Sequence, residues 1–262
     1  VVTYRHGANQ DTSTAMDDIN LVLRGIDRVA PIPGQVNILW VISHPEDVTL
    51  AEIEGFDLVF SASKTWAQRM GRNSSRPIEF LPQATDGSRF NRHVTDTGVR
   101  RGPLFVGSVH PGRRRGIVED AVLMNLPITV IGGGWKGVLP DGILESERID
   151  NRDLAAAYRS ATRVLADHWP EMAEEGFIQN RVFDAVAAGC RVVSDPVAGL
   201  ELFGGAVQPY HSPAELAFLL SPKSDLAFPS DAELALIADR IVEEHSFDAR
   251  AKQLIDSVNR LL

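Results

Sequence analysis

Three groups of residues in this chain have types and spacing suited to chemistry on a polar, anionic small molecule. In the first, the carboxylates Glu171, Glu174 and Glu175 run into Gly176. A helical pattern beginning near Gly176 follows, apolar through Phe177, Ile178, Val182, Phe183, Ala185, Val186 and Ala187. A helix apolar around most of its circumference belongs in a core. Its exceptions, Asn180, Arg181 and Asp184, share one side, because residues three and four apart are helical neighbours. Charge on a buried helix is costly unless it is paired or faces a ligand. Two readings follow: an internal Arg181–Asp184 ion pair, or a side that meets something polar. An acidic loop feeding a helix N-terminus suits a ligand rich in hydroxyls and phosphates.

The second group is Phe105-Val-Gly-Ser-Val-His-Pro-Gly-Arg-Arg-Arg-Gly116, a strand, a glycine loop through Gly107 and Ser108, and a helix start carrying Arg113, Arg114 and Arg115. Three cations in a first helical turn oppose the macrodipole. Either the turn is merely solvated, or a diphosphate between loop and arginines removes the conflict. The third group, His44-Pro45-Glu46-Asp47, ends the apolar strand Trp40–Ile42, at the edge where α/β sheets collect ligands. His44 is either a base that orients an acceptor hydroxyl or a structural hydrogen-bond partner. Its spacing to Glu46 resembles a metal pair only weakly.

Other segments lend themselves less to chemistry. His168-Trp169 and Met172 precede the polar helix and either line a pocket or form an aromatic lid. Gly132-Gly-Gly-Trp-Lys-Gly137 satisfies G-x-G-x-x-G after a strand, but Pro140-Asp-Gly142 follows where a dinucleotide fingerprint opens a helix. The dinucleotide reading is rejected. Cys190, the single cysteine, excludes an internal disulfide and a thiolate-rich zinc site, and reads as a buried inert thiol.

Positioning these groups takes parallel sheets with crossover helices. Strand-like runs recur at Ile19–Leu23, Val36–Ile42, Phe56–Ser61 and Ile78–Leu81, with helices at Asp47–Glu54 and Thr65–Met70. The polar stretch Gln83–Pro103 reads as an interdomain connection. Strands at Leu104–Gly107, Ile128–Ile131, Arg163–Ala166, Arg191–Ser194 and Ala206–Pro209 follow. Helices at Gly112–Asn125, Asp153–Ser160, Pro213–Leu220, Asp231–His245 and Asp248–Leu261 complete the second series. The fold class is α/β: two Rossmann-like domains facing a cleft, one over residues 1–98 and one over residues 99–262. The chain opens inside a strand-like run, Val1-Val-Thr-Tyr-Arg-His6, so the first domain is expected to be incomplete.

A formal net charge of -9 argues against nonspecific nucleic-acid binding and makes the local clusters Arg100-Arg101 and Arg113-Arg114-Arg115 stand out. No apolar run approaches a membrane span and no signal peptide is seen, which places the chain in the cytoplasm by default.

The segment Glu175-Gly-Phe, Asp184-Ala-Val-Ala-Ala-Gly189 and Arg191-Val-Val-Ser194 resembles the donor-site motif of GT-B glycosyltransferases of the group 1, family 4 type. It is most similar to the branch with spore-maturation-type (CgeB-like) C-terminal domains. The resemblance implies a nucleotide-sugar donor bound mainly by the C-terminal domain, and a glycan, lipid, protein or small molecule as acceptor. It also implies metal-independent transfer, no cofactor beyond the donor, and retention of anomeric configuration. Asp184 then holds the ribose, Glu175 or Gly176 meets the donor sugar, and the loop at Gly107 and Ser108 with Arg113–Arg115 meets the diphosphate. Trp135, His168, Phe177 and Asn180 fall among the donor-binding positions, with His44, Glu175 and Arg181 as the catalytic set. The motif departs from the family in having Asp at 184 rather than Glu, and in placing Glu175 nine residues before it rather than eight. A noncatalytic sugar-nucleotide or glycan-binding module and a sugar-nucleotide epimerase are the alternatives on the same plan.

Overall fold

The computed structural model describes residues 17–94 and 101–262; the run Val1–His6 and Arg100 lie outside them. Apolar runs bounded by turn residues form strands, and the inner ones, such as Val36–Val41 and Val164–Ala166, are buried on both faces, as parallel sheets require. β1 (Ile19–Arg24), β2 (Val36–Val41), β3 (Leu58–Ser61) and β4 (Ile78–Phe80) make a four-stranded parallel sheet in that order. Its crossovers are α1 (Leu50–Glu54) and α2 (Lys64–Gly71), started by the side-chain caps of Thr49 and Ser63.

The second sheet holds β5 (Leu104–Val106), β6 (Thr129–Ile131), β7 (Leu144–Ser146), β8 (Val164–Ala166), β9 (Val192–Ser194) and β10 (Val207–Pro209). Between them run α3 (Gly116–Leu123), α4 (Leu154–Ser160), α5 (Pro170–Glu174) and α6 (Asn180–Ala187). All pairs are parallel and the order is β10-β9-β8-β5-β6-β7. The chain runs outward from β5 to β7, then returns to lay β8 on the other side of β5. That reversal opens a crevice at the carboxyl ends of β5 and β8, where such sheets bind ligands. The α/β class with parallel sheets is therefore as the sequence implies.

Three local features position the site, and the first departs from expectation. The helix expected from Gly176 begins at Asn180; Gly176, at φ 76°, closes the short α5 instead. The polar connection is not loose: Phe90 is buried, and Thr85 bridges to Ser246. The last helix crosses back to the first sheet. After α7 (Pro213–Leu219) and α8 (Asp231–Glu244), α9 (Phe247–Leu261) sends Leu254 and Val258 against Ile38, Trp40, Phe60 and Leu81. Arg250, 2% exposed, fastens this crossing by donating to the carbonyls of Pro82 (2.7 Å), Gln83 (3.3 Å) and Glu244 (3.1 Å).

The halves are also joined through the segment after β8. Met172 and Phe177 are buried in the core of the first sheet, and Phe177 meets Trp66 edge-on at 5.9 Å between ring centroids. Burying such a ring contributes about 2–3 kcal/mol.

Candidate active site at the switch point

The floor of the crevice is glycine for steric reasons. A Cβ on Gly132, at φ +154°, would lie 2.2 Å from the Gly107 carbonyl oxygen. A Cβ on Gly107 would lie 3.3 Å from Arg181 Nη1. The backbone N–H of Gly133 donates to Ser108 Oγ (3.2 Å), and the Trp135 indole N–H donates to Gly107 O (2.7 Å). Trp135 is 2% exposed and edge-on to Phe105, so it offers no face to a nucleotide. The expected donor contact is corrected to a core brace beneath the Gly107 loop.

The three arginines are not waiting for a counter-charge, as the sequence suggested. Arg113 pairs with Glu171, Arg114 with Glu119, and Arg115 with Asp167 Oδ1 at 3.0 Å. Arg114 is 85% exposed by side chain and stands clear of the crevice. Arg115 is buried; it also donates to Ser108 O (3.0 Å) and lies 3.9 Å from the centroid of the Trp169 ring. The acids that neutralise Arg113 and Arg115 come from after β8, more than fifty positions along the chain. Burial pushes the Asp167 carboxyl up to about 6 against the opposing pull of Arg115.

Arg181 is different. Among the described residues it has no acidic partner. Its guanidinium meets the Phe105 ring (5.8 Å) and the Tyr158 hydroxyl, and Nη1 is buried without a hydrogen bond. The internal pairing with Asp184 does not form. Asp184 accepts instead from Thr85 Oγ1 (2.7 Å) and Asn180 Nδ2 (3.4 Å), tying α6 to the connection between the sheets. Burial pushes its carboxyl up to about 7, with the Thr85 bond opposing.

His168 has neither ring nitrogen free. Nδ1 lies 2.7 Å from Asp195 Oδ1, and Nε2 accepts the Gln179 backbone N–H at 3.2 Å. Gln179 is the N-cap of α6, so His168 positions that helix rather than reaching a ligand. Glu175, Gly176 and Phe177 also leave the crevice for the contact between halves. Glu175 pairs with Arg69 at 2.6 Å, and its carbonyl accepts from Ser63 Oγ. Gly176 leaves only 3.2 Å between a built Cβ and Ser63 Oγ. Across from Arg113 and Glu171 stands His44, at φ 51°, with Nδ1 3.4 Å from Glu46 Oε1. No hydrogen bond or ion pair joins His44 to Arg181 among the described residues. Thus Gly107, Ser108, Arg113, Arg115, Asn180, Arg181 and Asp184 gather around the β5–β8 opening and the start of α6, while His44 faces it from the first sheet.

Asp167, Thr85 and Tyr158 escaped the sequence reading. Asp167 had a readable signal: it follows the apolar triplet Val164-Leu-Ala166, at the same strand end as Asp195 after Val192-Val-Ser194.

No curated protein matches the sequence. Solved structures do match in fold. AviGT4, a glycosyltransferase involved in avilamycin A biosynthesis, aligns over 93% of this chain and 74% of its own, with 19% identity and a TM-score of 0.63. Anabaena Alr3699/HepE in complex with UDP-glucose aligns over 86% and 72%, with 12% identity and a TM-score of 0.62. The GtfA/B complex aligns over 87% of this chain at 12% identity and a TM-score of 0.56; the chain spans about half of that protein's length, 53%. At these identities the likeness is one of fold, the GT-B arrangement. The family model described as "Glycosyl transferase-like" matches residues 113–256, from the arginine turn through the crevice and into α9. Both observations converge, and the chain belongs to the glycosyl transferase-like family.

Proposed function

We propose that this chain moves a sugar from a nucleoside-diphosphate sugar to an acceptor hydroxyl, without a metal ion and with retention at the anomeric carbon. The observation that carries the reading is Arg181, a cation that makes no ion pair among the described residues and whose Nη1 has no hydrogen-bond partner, at the switch point of the six-stranded sheet. In the reaction the bond from the anomeric carbon to the distal phosphate oxygen breaks, and its electron pair leaves on the diphosphate. The acceptor oxygen bonds to that carbon and releases its proton to the departing phosphate oxygen. Arg181, with Arg115 and the N-terminus of α3, stabilises the departing charge. Gly107 and Ser108 offer backbone to the diphosphate. Asn180 and Asp184 serve the ribose, and His44 orients the acceptor from the first sheet. The resemblance of Asp184–Gly189 supports the spore-maturation-type branch. The UDP-glucose of HepE and the UDP and GlcNAc of pneumococcal GtfA make uridine the first base to try.

The test is a thermal-shift screen with UDP, GDP, ADP and TDP, followed by calorimetric titration of Arg181→Ala. One diphosphate should raise the melting temperature. The variant should bind it about ten- to a hundredfold more weakly, the loss of about 1.5–3 kcal/mol for a charged hydrogen bond, while melting like the parent. Parent-like binding by the variant, or no binding of any of the four, overturns the reading. A noncatalytic donor-binding module is favoured by one observation: Glu171 and Glu175, carboxylates of the acidic run before α6, are already held by Arg113 and Arg69. Nucleotide binding without transfer or hydrolysis of the nucleotide-sugar identifies that case.

A further inference from the structure

A second cavity lies at the opposite edge of the six-stranded sheet, beneath the amino ends of β8 and β9. It holds about 340 Å³ and is lined by Arg92, Arg159, Thr162, Arg191, Ala235 and one acid, Asp231, among others. That volume accepts a compact ligand. Its chemistry is basic in a chain whose net charge is -9.

The three guanidiniums differ in how far they are satisfied. Arg92 pairs with Asp239 at 2.7 Å, and Arg191 with Asp231, whose side chain is 91% exposed. Solvent screening at such an exposed acid leaves little net attraction. Arg159 has no acidic partner among the described residues. It uses one donor, Nη1, on the Ala188 carbonyl at 2.8 Å. That bond caps the end of α6 and accounts for part of its placement. Its Nε, like that of Arg191, is buried without a hydrogen bond. Both Nε atoms are shielded from the cavity as well, so a ligand there is met by the terminal nitrogens. The chain also clears space for them: a Cβ on Gly189, at φ +78°, would stand 3.2 Å from Arg159 Nη1 and 3.3 Å from Arg92 Cβ.

We propose that this cavity is a binding site for a compact, phosphate-bearing anion, separate from the donor crevice. Arg159 Nη1 is held by Ala188 O, and Arg191 Nη2 by Pro229 O and Asp231, so Arg159 Nη2 and Arg191 Nη1 are the donors offered to phosphate oxygens, and Arg92 adds charge at the mouth. Thr162 adds a hydroxyl. The site touches the C-terminal end of α6, the helix whose first turn carries Arg181, so its ligand contacts the element that shapes the donor crevice from the far side.

Inorganic pyrophosphate is the probe, titrated calorimetrically at low ionic strength into the parent, Arg181→Ala, Arg191→Gln and Ala235→Glu, each checked for a parent-like melting temperature. Ala235 is a half-buried helix residue of α8, and glutamate there keeps helix propensity while placing a carboxylate in the cavity. Expected is a pyrophosphate-binding event that Arg181→Ala retains, that Arg191→Gln weakens about tenfold, and that Ala235→Glu abolishes. Titrations of Ala235→Glu and Arg191→Gln that match the parent overturn the proposal. So does loss of all binding in Arg181→Ala, which assigns the anion to the donor crevice alone. Failure of the donor reading shows separately, as unchanged nucleotide binding in Arg181→Ala.

Discussion

Replacing Asp184 by Asn tests the charge state at the centre of the fold. Asp184 is 7% exposed, and burial raises its carboxyl from 3.8 to about 7 although Thr85, Arg181 and Arg89 favour the ionised form; Asp86 adds to the rise. The folded chain therefore holds this proton more tightly than the unfolded chain. The associated stability is full below 3.8 and is lost as pH rises through about 7. The separation is equivalent to about 4 kcal/mol at full burial, and partial relaxation around the charge brings the expected loss to about 2–4 kcal/mol. Asn cannot ionise, keeps the shape, and still accepts the Thr85 hydroxyl. Urea unfolding of parent and variant between about pH 4 and pH 8 reads the effect. The stability difference should move toward the variant by about 2–4 kcal/mol over that range. Two parallel curves would refute the argument, since they mean Asp184 is equally ionised folded and unfolded.

Three further outcomes follow from packing and backbone geometry. Phe177→Ala empties the socket beside Trp66 and should lower stability by about 3–5 kcal/mol in equilibrium unfolding, whether or not nucleotide is bound. Gly132→Ala forces a Cβ to 2.2 Å from the Gly107 carbonyl, so the loop must shift. It should cost about 2–4 kcal/mol by thermal unfolding, and nucleotide affinity should fall with it. Arg250→Gln leaves the carbonyls of Pro82, Gln83 and Glu244 short of donors and should cost about 3 kcal/mol by urea titration; an unchanged midpoint rejects the proposed fastening of α9.

Legibility from sequence tracked the range of the interactions that decide each element. Apolar runs such as Val36–Val41 and Val192–Ser194 announce buried strands because their neighbours in sequence carry the whole signal. β7 was missed: Leu144-Glu-Ser146 is an edge strand with a single apolar residue, so no period is visible. The onset of α6 was set too early because Phe177 and Ile178 extend its apolar pattern while serving a different partner. Phe177 belongs to the core of the other sheet, a contact over more than a hundred positions. The arginine turn was recognisable as unusual, but the acids that answer it lie far along the chain. Arg181 shows the converse. Its polarity on an apolar helix was plain, and its lack of an acid became visible only once Asp184 was seen to turn toward Thr85.

The aromatic lock between Phe177 and Trp66, with the returning final helix on the same sheet, limits how the molecule can breathe. Separating its lobes as rigid bodies would drag a phenyl ring out into water and unseat Leu254 and Val258 together. Heat or denaturant should meet one cooperative unit instead of two lobes melting in turn.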